Sequence, residues 1–328
     1  MPEGSSKAEY LVGVDLGGTK ILAGVFNTQL KCIGKVKTST KPLRGPESVI
    51  ERIARCIEDA VDECDLKLEQ VRGVGLGAPG AVDTSAGKVI FAPNLPGWTD
   101  IPLKKLLEKE LKAPVFLEND GNICTLGVHS IELDGKPKHM LGVFIGTGIG
   151  AGLMLDGKLY SGFNKTAGEV GHMVLEVGGP KCGCGSRGCF EALAGRQAIF
   201  RKIQNAVKEG QKTVLTETLG PDLPDMRSGD LRKALRRGDK LVERVIEEAA
   251  EYIGIGIANL VNLLSPEVVV LGGGVIDALE DEMMAIIVET AHDYALQGTD
   301  KGLEILPSKL GDNAGIYGGA VLARRETK

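Results

Sequence analysis

The chain has 328 residues, more than one ordinary domain needs, so two domains are expected. Hydrophobic residues make up 43% and charged residues 25%, ordinary globular usage, and no apolar run is long enough to span a bilayer, which excludes a helical membrane protein. With 39 basic and 44 acidic residues the net charge is −5 and no basic stripe stands out, which argues against nucleic acid as a partner.

The stretch Met1 to Glu9 is short and polar without an apolar h-region, so a cytoplasmic location is expected. From Tyr10 to Leu16 and again from Ile21 to Phe26 the residues read as two strands around the turn Gly17-Gly18-Thr19, a β-hairpin. Apolar residues at Val49, Ile50, Ile53, Ala54, Ile57, Ala60 and Val61 predict a helix, and Val71 to Leu76 a buried strand ending at Gly77-Ala-Pro-Gly80. Strand, helix, strand in this order implies a parallel pairing. A helix from Leu103 to Leu111 leads to the strand Val115 to Leu117, and Glu118-Asn119-Asp120-Gly121 sits at its end, where α/β sheets place ligands.

A second strand-turn-strand signal, Leu141 to Ile145, Gly146-Thr147-Gly148-Ile149-Gly150 and Ala151 to Leu155, echoes the first and reads as an internal repeat. Next, Gly168-Glu169-Val-Gly-His172 leads to Cys182, Cys184 and Cys189, one imidazole and three thiols within eighteen residues. Tetrahedral zinc takes such a set, and four protein ligands leave no open position, so the ion is expected to be structural. Glu169 and Glu191 flank the ligands, and a loop frozen by metal would fix them as acceptors for a polar ligand; a knuckle with no role beyond local stability fits the same spacing. The other cysteines, Cys32, Cys56, Cys64 and Cys124, lie among apolar neighbours as buried thiols do, and no disulfide framework is expected. Helical periodicity fills residues 195 to 263, the pattern from Lys240 to Leu264 stops at Ser265-Pro266, and Val268 to Leu271 reads as a buried strand closing at Gly272-Gly273-Gly274. A last strand, Leu303 to Leu306, precedes a helix from about Asn313. The domain boundary is placed near Asp120 to Gly127, giving a small α/β domain over 1–122 joined by residues 312–328, and a large one over 123–311.

Three glycine loops at strand ends point to nucleotide phosphates: Gly17-Gly18-Thr19 with Lys20, Gly146-Thr147-Gly148, and Gly272-Gly273-Gly274, where a flat base can approach bare backbone. The first lacks the spacing of a P-loop and of the dinucleotide fingerprint. Phosphoryl transfer also needs a carboxylate beside the acceptor hydroxyl and a divalent cation. Asp120 suits the base, next to Asn119, whose amide can orient a polyol; an aspartate before a helix fits an N-cap equally well. Asp15 could hold Mg2+ through water, or merely cap its turn.

These residues resemble the sugar-kinase branch of the ROK (repressor, open reading frame, kinase) family within the actin-like ATPase superfamily. The likeness runs through Asp15-Leu-Gly-Gly-Thr-Lys20, Gly77-Ala-Pro-Gly80, Glu118-Asn-Asp-Gly-Asn122, Gly146-Thr-Gly148, Gly168-Glu-Val-Gly-His172, the three cysteines and Leu271-Gly-Gly-Gly274. It departs at Gly121, commonly Ala, and at Val128, often Glu. The resemblance implies a two-domain fold with a cleft and an ATP- and Mg2+-dependent hexokinase. Asp120 would take the proton of the 6-hydroxyl, and Asn119, Glu169, His172 and Glu191, with Gly80 and Asn94, would contact the sugar. The first two glycine loops would face the phosphates and the third the adenosine, and His172 would join Cys182, Cys184 and Cys189 on zinc. Asn94-Leu-Pro-Gly-Trp98 resembles the glucokinase-like members, so glucose is the first expectation, with other hexoses, N-acetylhexosamines and a polyphosphate donor as alternatives. Relatives form dimers or tetramers, which implies a homo-oligomer. The family also includes sugar-sensing repressors with an N-terminal helix-turn-helix, for which a first strand at Tyr10 is expected to leave no room. A non-catalytic sugar-binding protein is the other alternative.

Overall fold

The computed structural model describes residues 9–328, so most of the polar stretch Met1 to Glu9 lies outside the described residues. The elements, in chain order, are β1 (Tyr10–Leu16), β2 (Lys20–Phe26), β3 (Cys32–Ser39), α1 (Pro46–Asp62), β4 (Val71–Ala78), β5 (Ala81–Asp83), β6 (Lys88–Phe91), β7 (Thr99–Ile101), α2 (Leu103–Leu111), β8 (Val115–Asn119) and α3 (Asp120–Gly127). They continue with β9 (Met140–Ile145), β10 (Ile149–Leu155), β11 (Lys158–Leu159), α4 (Phe190–Ala194), α5 (Arg196–Lys208), α6 (Leu215–Leu219), α7 (Ser228–Arg236) and α8 (Lys240–Leu264). The last are β12 (Val268–Gly272), α9 (Ile276–Tyr294), β13 (Glu304–Pro307) and α10 (Ala314–Glu326). No helix among the described residues is long and apolar enough to cross a membrane.

Two five-stranded sheets share one strand order: β3-β2-β1-β4-β8 and β11-β10-β9-β12-β13. In the first, β1 and β2 pair antiparallel as the hairpin pattern predicts, and β1, β4 and β8 run parallel. In the second, β9, β12 and β13 run parallel while β10 and β11 pair antiparallel. The repeat read in the sequence is therefore a repeat of topology. A small antiparallel sheet, β5-β6-β7, carries no clear alternation and was not evident from the sequence. The described chain forms two compact units, residues 9–138, 152–168 and 312–328 in one, and residues 139–151 and 169–311 in the other.

The sequence explains these placements. In β1 the side chains alternate between two cores: Val12 and Val14 join the cluster with Ile53 and Ile57 of α1, while Leu11 packs with Ile316 and Ala320 of α10. A strand covered on both faces has to be apolar throughout, as β1 nearly is. β3 alternates half-buried and exposed positions along its length, the mark of an edge. α8 begins where Asp239 accepts from the N–H groups of Leu241 and Val242, both at 3.1 Å, and it ends at Ser265 in the left-handed region before Pro266. One expectation is corrected: of the four scattered cysteines only Cys56 is buried, and Cys32, Cys64 and Cys124 are half-buried. Cys32 sits on the edge strand, where one face of the backbone meets solvent.

Helix α10 lies against the backbone of β1 and β4. A β-carbon on Gly13 would stand 1.7 Å from Ile316 O, and one on Gly75 2.0 Å from Gly319 O, neither of which can swing aside as a side chain can. Gly75→Ala is therefore expected to destabilise the protein by about 3 kcal/mol, the upper range for forced overpacking. Urea unfolding measures it, and a midpoint equal to that of the wild type would show that α10 shifts freely.

Candidate functional site

In the first unit the candidate residues gather at the carboxyl ends of three parallel strands. The register sets Asp15 of β1 beside Gly77 of β4, and Gly77 and Ala78 beside Glu118 and Asn119 of β8. The turn Gly17-Gly18-Thr19 is held by Gly17 N–H donating to Lys20 O at 2.9 Å, and is braced by Thr40, whose hydroxyl donates to Gly17 O at 2.7 Å and whose N–H donates to Thr19 O at 3.0 Å. Thr40 is fully buried; it follows the edge strand with no motif around it that would mark it in the sequence. Gly18 lies against Asn94, whose β-carbon would be 3.5 Å from one built on the glycine.

Lys20, read as a phosphate ligand, is ion-paired with Asp312 at 2.5 Å, and Lys37 approaches the same carboxylate at 3.4 Å. Burial works to raise the Asp312 pKa, but Lys20 and Lys37 more than offset it and hold the carboxyl below its ordinary range. Asp15 has the opposite balance: burial raises it from 3.8 to about 6, with Lys20 opposing and Asp312 adding to the rise. Asp312 escaped the sequence reading because its partner lies almost the whole chain away.

At the β8–α3 junction Asn119 is held from two sides. Its Nδ2 donates to Gly80 O at 3.0 Å, and its Oδ1 accepts from Asn122 N–H at 3.2 Å. Asn119 is thus the cap of α3, and Asp120 occupies the first helical position, where its Oδ1 accepts from Gly121 N–H at 2.9 Å. Glu118, buried, accepts through Oε1 from Asn119 N–H at 2.9 Å and from Asn122 Nδ2 at 3.0 Å. Burial raises its carboxyl pKa despite these donors.

In the second unit two glycine loops follow the neighbouring parallel strands β9 and β12, where Gly272 pairs with Phe144. Gly146 N–H donates to Gly148 O at 2.9 Å, closing the first turn, and Ile149 N–H donates to Glu191 Oε2 at 3.1 Å. A β-carbon on Gly148 would stand 1.7 Å from that carboxylate oxygen, so a side chain there would have to displace Glu191. Gly273 has φ +89°, which favours glycine, and Gly274 follows it into the start of α9.

Glu169 and His172 stand with Oε2 and Nε2 4.0 Å apart. Burial raises the Glu169 pKa, His172 lowers it and Glu191 raises it. The His172 Nδ1 lies 3.7 Å from Cys182 Sγ, Cys184 Sγ lies 3.8 Å from Cys189 Sγ, and the four donor atoms all fall within 4.8 Å of one another. Metal–sulfur bonds of about 2.3 Å in a regular tetrahedron place two sulfurs about 3.8 Å apart, so the four residues could hold a metal ion. Through Nδ1 the ring would bind the ion, leaving Nε2–H on the side of Glu169. In the thiols themselves, burial pushes Cys182 up to about 12 and raises Cys189, whereas the exposed Cys184 is lowered by a backbone hydrogen bond near Ser186.

Paired sheets of one strand order, each opening with two strands joined by a glycine turn and each carrying its candidate groups at the ends of parallel strands, define the actin-like ATPase class of fold. The chain belongs to the ROK family, which it matches over residues 11–326. It is 34% identical to a glucokinase of Thermotoga maritima over 96% of this chain and 97% of that one. It is 31% identical to a putative xylose repressor of Caldicellulosiruptor sp., covering 94% of this chain and 76% of the repressor. The crystal structure of a ROK family glucokinase from Streptomyces griseus in complex with glucose and AMPPNP superposes with a TM-score of 0.85 at 31% identity, covering 96% of this chain and 99% of that one.

The raised Asp15 carboxyl has a signed consequence for stability. The unfolded residue ionises near its ordinary value while the folded one keeps its proton up to about 6, so stability falls as pH rises between those values. In Asp15→Asn that loss is absent. The variant is expected to gain on the wild type from about pH 4 to about pH 6 and to keep a lead of roughly 3 kcal/mol above that. Thermal melts at both ends of the range measure the gap; equal gaps at both would show that burial does not shift this group.

Proposed function

We propose that the protein is an ATP-dependent glucose kinase that transfers the γ-phosphoryl group to the sugar's 6-hydroxyl. The observation that carries the reading is the β8–α3 junction, where Asn119 supplies the helix cap and leaves Asp120 at the first helical position. Asp120 accepts the hydroxyl proton as the O6–phosphorus bond forms and the bond to the β,γ-bridging oxygen breaks, and ADP leaves with that electron pair. Asn119, Gly80, Asn94, Glu169, His172 and Glu191 bind the sugar, whose surface of hydroxyls suits an amide, carboxylates and an imidazole. The turns at Gly17-Gly18-Thr19 and Gly146-Thr147-Gly148 receive the phosphates, and Gly272-Gly273-Gly274 receives the adenosine. Bound Mg2+ would neutralise charge on the phosphates, with Asp15 the residue of this chain to hold it through water. Zinc suits the His172, Cys182, Cys184 and Cys189 donors and serves structurally, since all four positions come from protein. A cytoplasmic homo-oligomer, dimer or tetramer, completes the reading, and light scattering measures the assembly.

A coupled assay for ADP release, with Mg-ATP and a panel of hexoses and N-acetylhexosamines, tests the activity. Turnover highest on glucose is expected; turnover only on another sugar, or only with polyphosphate, would reassign the substrate or donor. The likeness to a xylose repressor supports a second reading, a sugar-responsive regulator. Salt-dependent DNA binding without turnover would favour it.

Asp120→Asn is expected to lower kcat at least about a thousandfold while the glucose dissociation constant changes less than about threefold, since the amide keeps the shape and loses the base. Undiminished turnover would remove Asp120 from that role. In Cys184→Ser, bound zinc measured by atomic emission is expected to be lost and glucose affinity to fall about tenfold to hundredfold, because Glu169, His172 and Glu191 all depend on the metal loop. Glucose affinity retained without zinc would make the loop a local staple only.

A further inference from the structure

Arg196 begins α5, directly after the short helix that carries Glu191. Its backbone N–H donates to Gly146 O at 3.1 Å, and the next residue's N–H, that of Gln197, donates to Thr147 O at 3.2 Å, so the start of α5 is tied to the Gly146-Thr147-Gly148 turn. The side chain returns to the same turn: Nη2 donates to Thr147 Oγ1 at 2.7 Å. The other terminal nitrogen faces the second glycine loop, where a β-carbon built on Gly274 would stand 3.9 Å from Nη1. One guanidinium thus lies between the two glycine loops of its unit.

What is unusual is its electrostatic state. The group is half-buried, burial alone lowers its pKa, and no carboxylate among the described residues is paired with it. Among the described residues only one of its five donors has a protein acceptor, the neutral Thr147 hydroxyl. Removing a permanent cation from water without a counter-charge is costly, and arginine is the side chain whose planar fork matches phosphate oxygens. Nearby acidic groups do not serve: Glu191 turns its Oε2 to Ile149 N–H and its Oε1 toward Cys182 Sγ at 3.8 Å.

We propose that Arg196 is a nucleotide-binding residue, its free guanidinium donors taking the polyphosphate of a nucleoside triphosphate while its bond to Thr147 fixes the phosphate-binding turn. The inference rests on the kinase reading and adds to it the cation of the second unit. Adenine stacking would use the face of the guanidinium and leave its edge donors unpaired; a polyphosphate pairs them.

The test is calorimetric titration of ATP, ADP, AMP and adenosine, and separately of glucose, into the full chain as wild type, Arg196→Ala and Arg196→Lys, with Mg2+ present. Arg196→Ala is expected to weaken ATP and ADP about tenfold to hundredfold and to leave adenosine and glucose within about twofold. Arg196→Lys keeps the charge without the fork and is expected to recover part of the loss; should the alanine variant not fold, a selective loss for ATP and ADP in the lysine variant carries the same meaning. Adenosine weakened by the same factor as ATP would overturn the proposal, since Arg196 would then act only by shaping the loops. Equal ATP affinity in wild type and variants would overturn it alone, whereas a wild type that binds glucose but no nucleotide would overturn the kinase reading as well.

Discussion

The first unit depends on backbone lying directly on backbone. Helix α10 reaches β1 and β4 only where Gly13 and Gly75 leave no side chain in the way, and the rest of its inner face, Ile316 and Ala320, then closes the second of the two cores. That seating has a chemical result. It brings the start of the helix against Asp15, whose β-carbon would be 2.8 Å from one built on Gly315, and it carries Asp312 to Lys20. The last seventeen residues are therefore part of the surroundings of the Gly17-Gly18-Thr19 turn although they are farthest from it in the chain. A strand pair alone would leave Lys20 free to move; Asp312 holds the ammonium in place, and on the proposed reading a phosphate would compete with that carboxylate for it.

In the second unit Glu191 does comparable work over a shorter distance. One oxygen receives Ile149 N–H at the end of the glycine turn, and the other lies beside a thiol of the metal cluster. A side chain proposed to contact the sugar thus also braces the Gly146-Thr147-Gly148 turn, and its position follows from how the 169–191 segment folds around its cysteines. On the proposed reading a metal held there would act beyond the knuckle, because Cys182 Sγ lies 3.8 Å from Glu191 Oε1 and Glu191 Oε2 accepts from Ile149 N–H beside Gly148.

Much of this was legible in the sequence, and the reasons are physical. β1, α1, α2, α8 and β12 could be read because each is set by its own periodicity and end signals: the continuous apolar run of a strand covered twice, the seven apolar positions of α1, the αL residue and proline after α8. The glycine turns and the His-Cys donors could be read because their chemistry is local. What escaped was set by distant partners. Thr40 shows its purpose only when β3 pairs with β2, Asp312 only when α10 seats, and Arg196 only when α5 starts beside the turn of residues 146–148. The small sheet of β5, β6 and β7 was missed because its strands run to only three or four residues, too short for a period of two to show. In the case of Asp120, sequence alone left the base and the cap in balance; the structure gives the cap to Asn119, which frees Asp120 from that duty without assigning it another.

The candidate groups share a property that a fold optimised only for stability would not have. Asp15 is a carboxylate raised by burial, Glu118 is another, and Arg196 is a half-buried cation with no carboxylate paired to it among the described residues. Each is charged chemistry held partly out of water, and elsewhere in the chain charged pairs such as Lys202–Glu248 and Arg237–Glu217 satisfy one another. Free-energy costs of this kind persist when something other than the folded chain offsets them, which a bound cation and a bound polyphosphate do for a carboxylate and a guanidinium respectively. Within each unit taken by itself the cost falls on one sign of charge, negative at Asp15 and Glu118 and positive at Arg196.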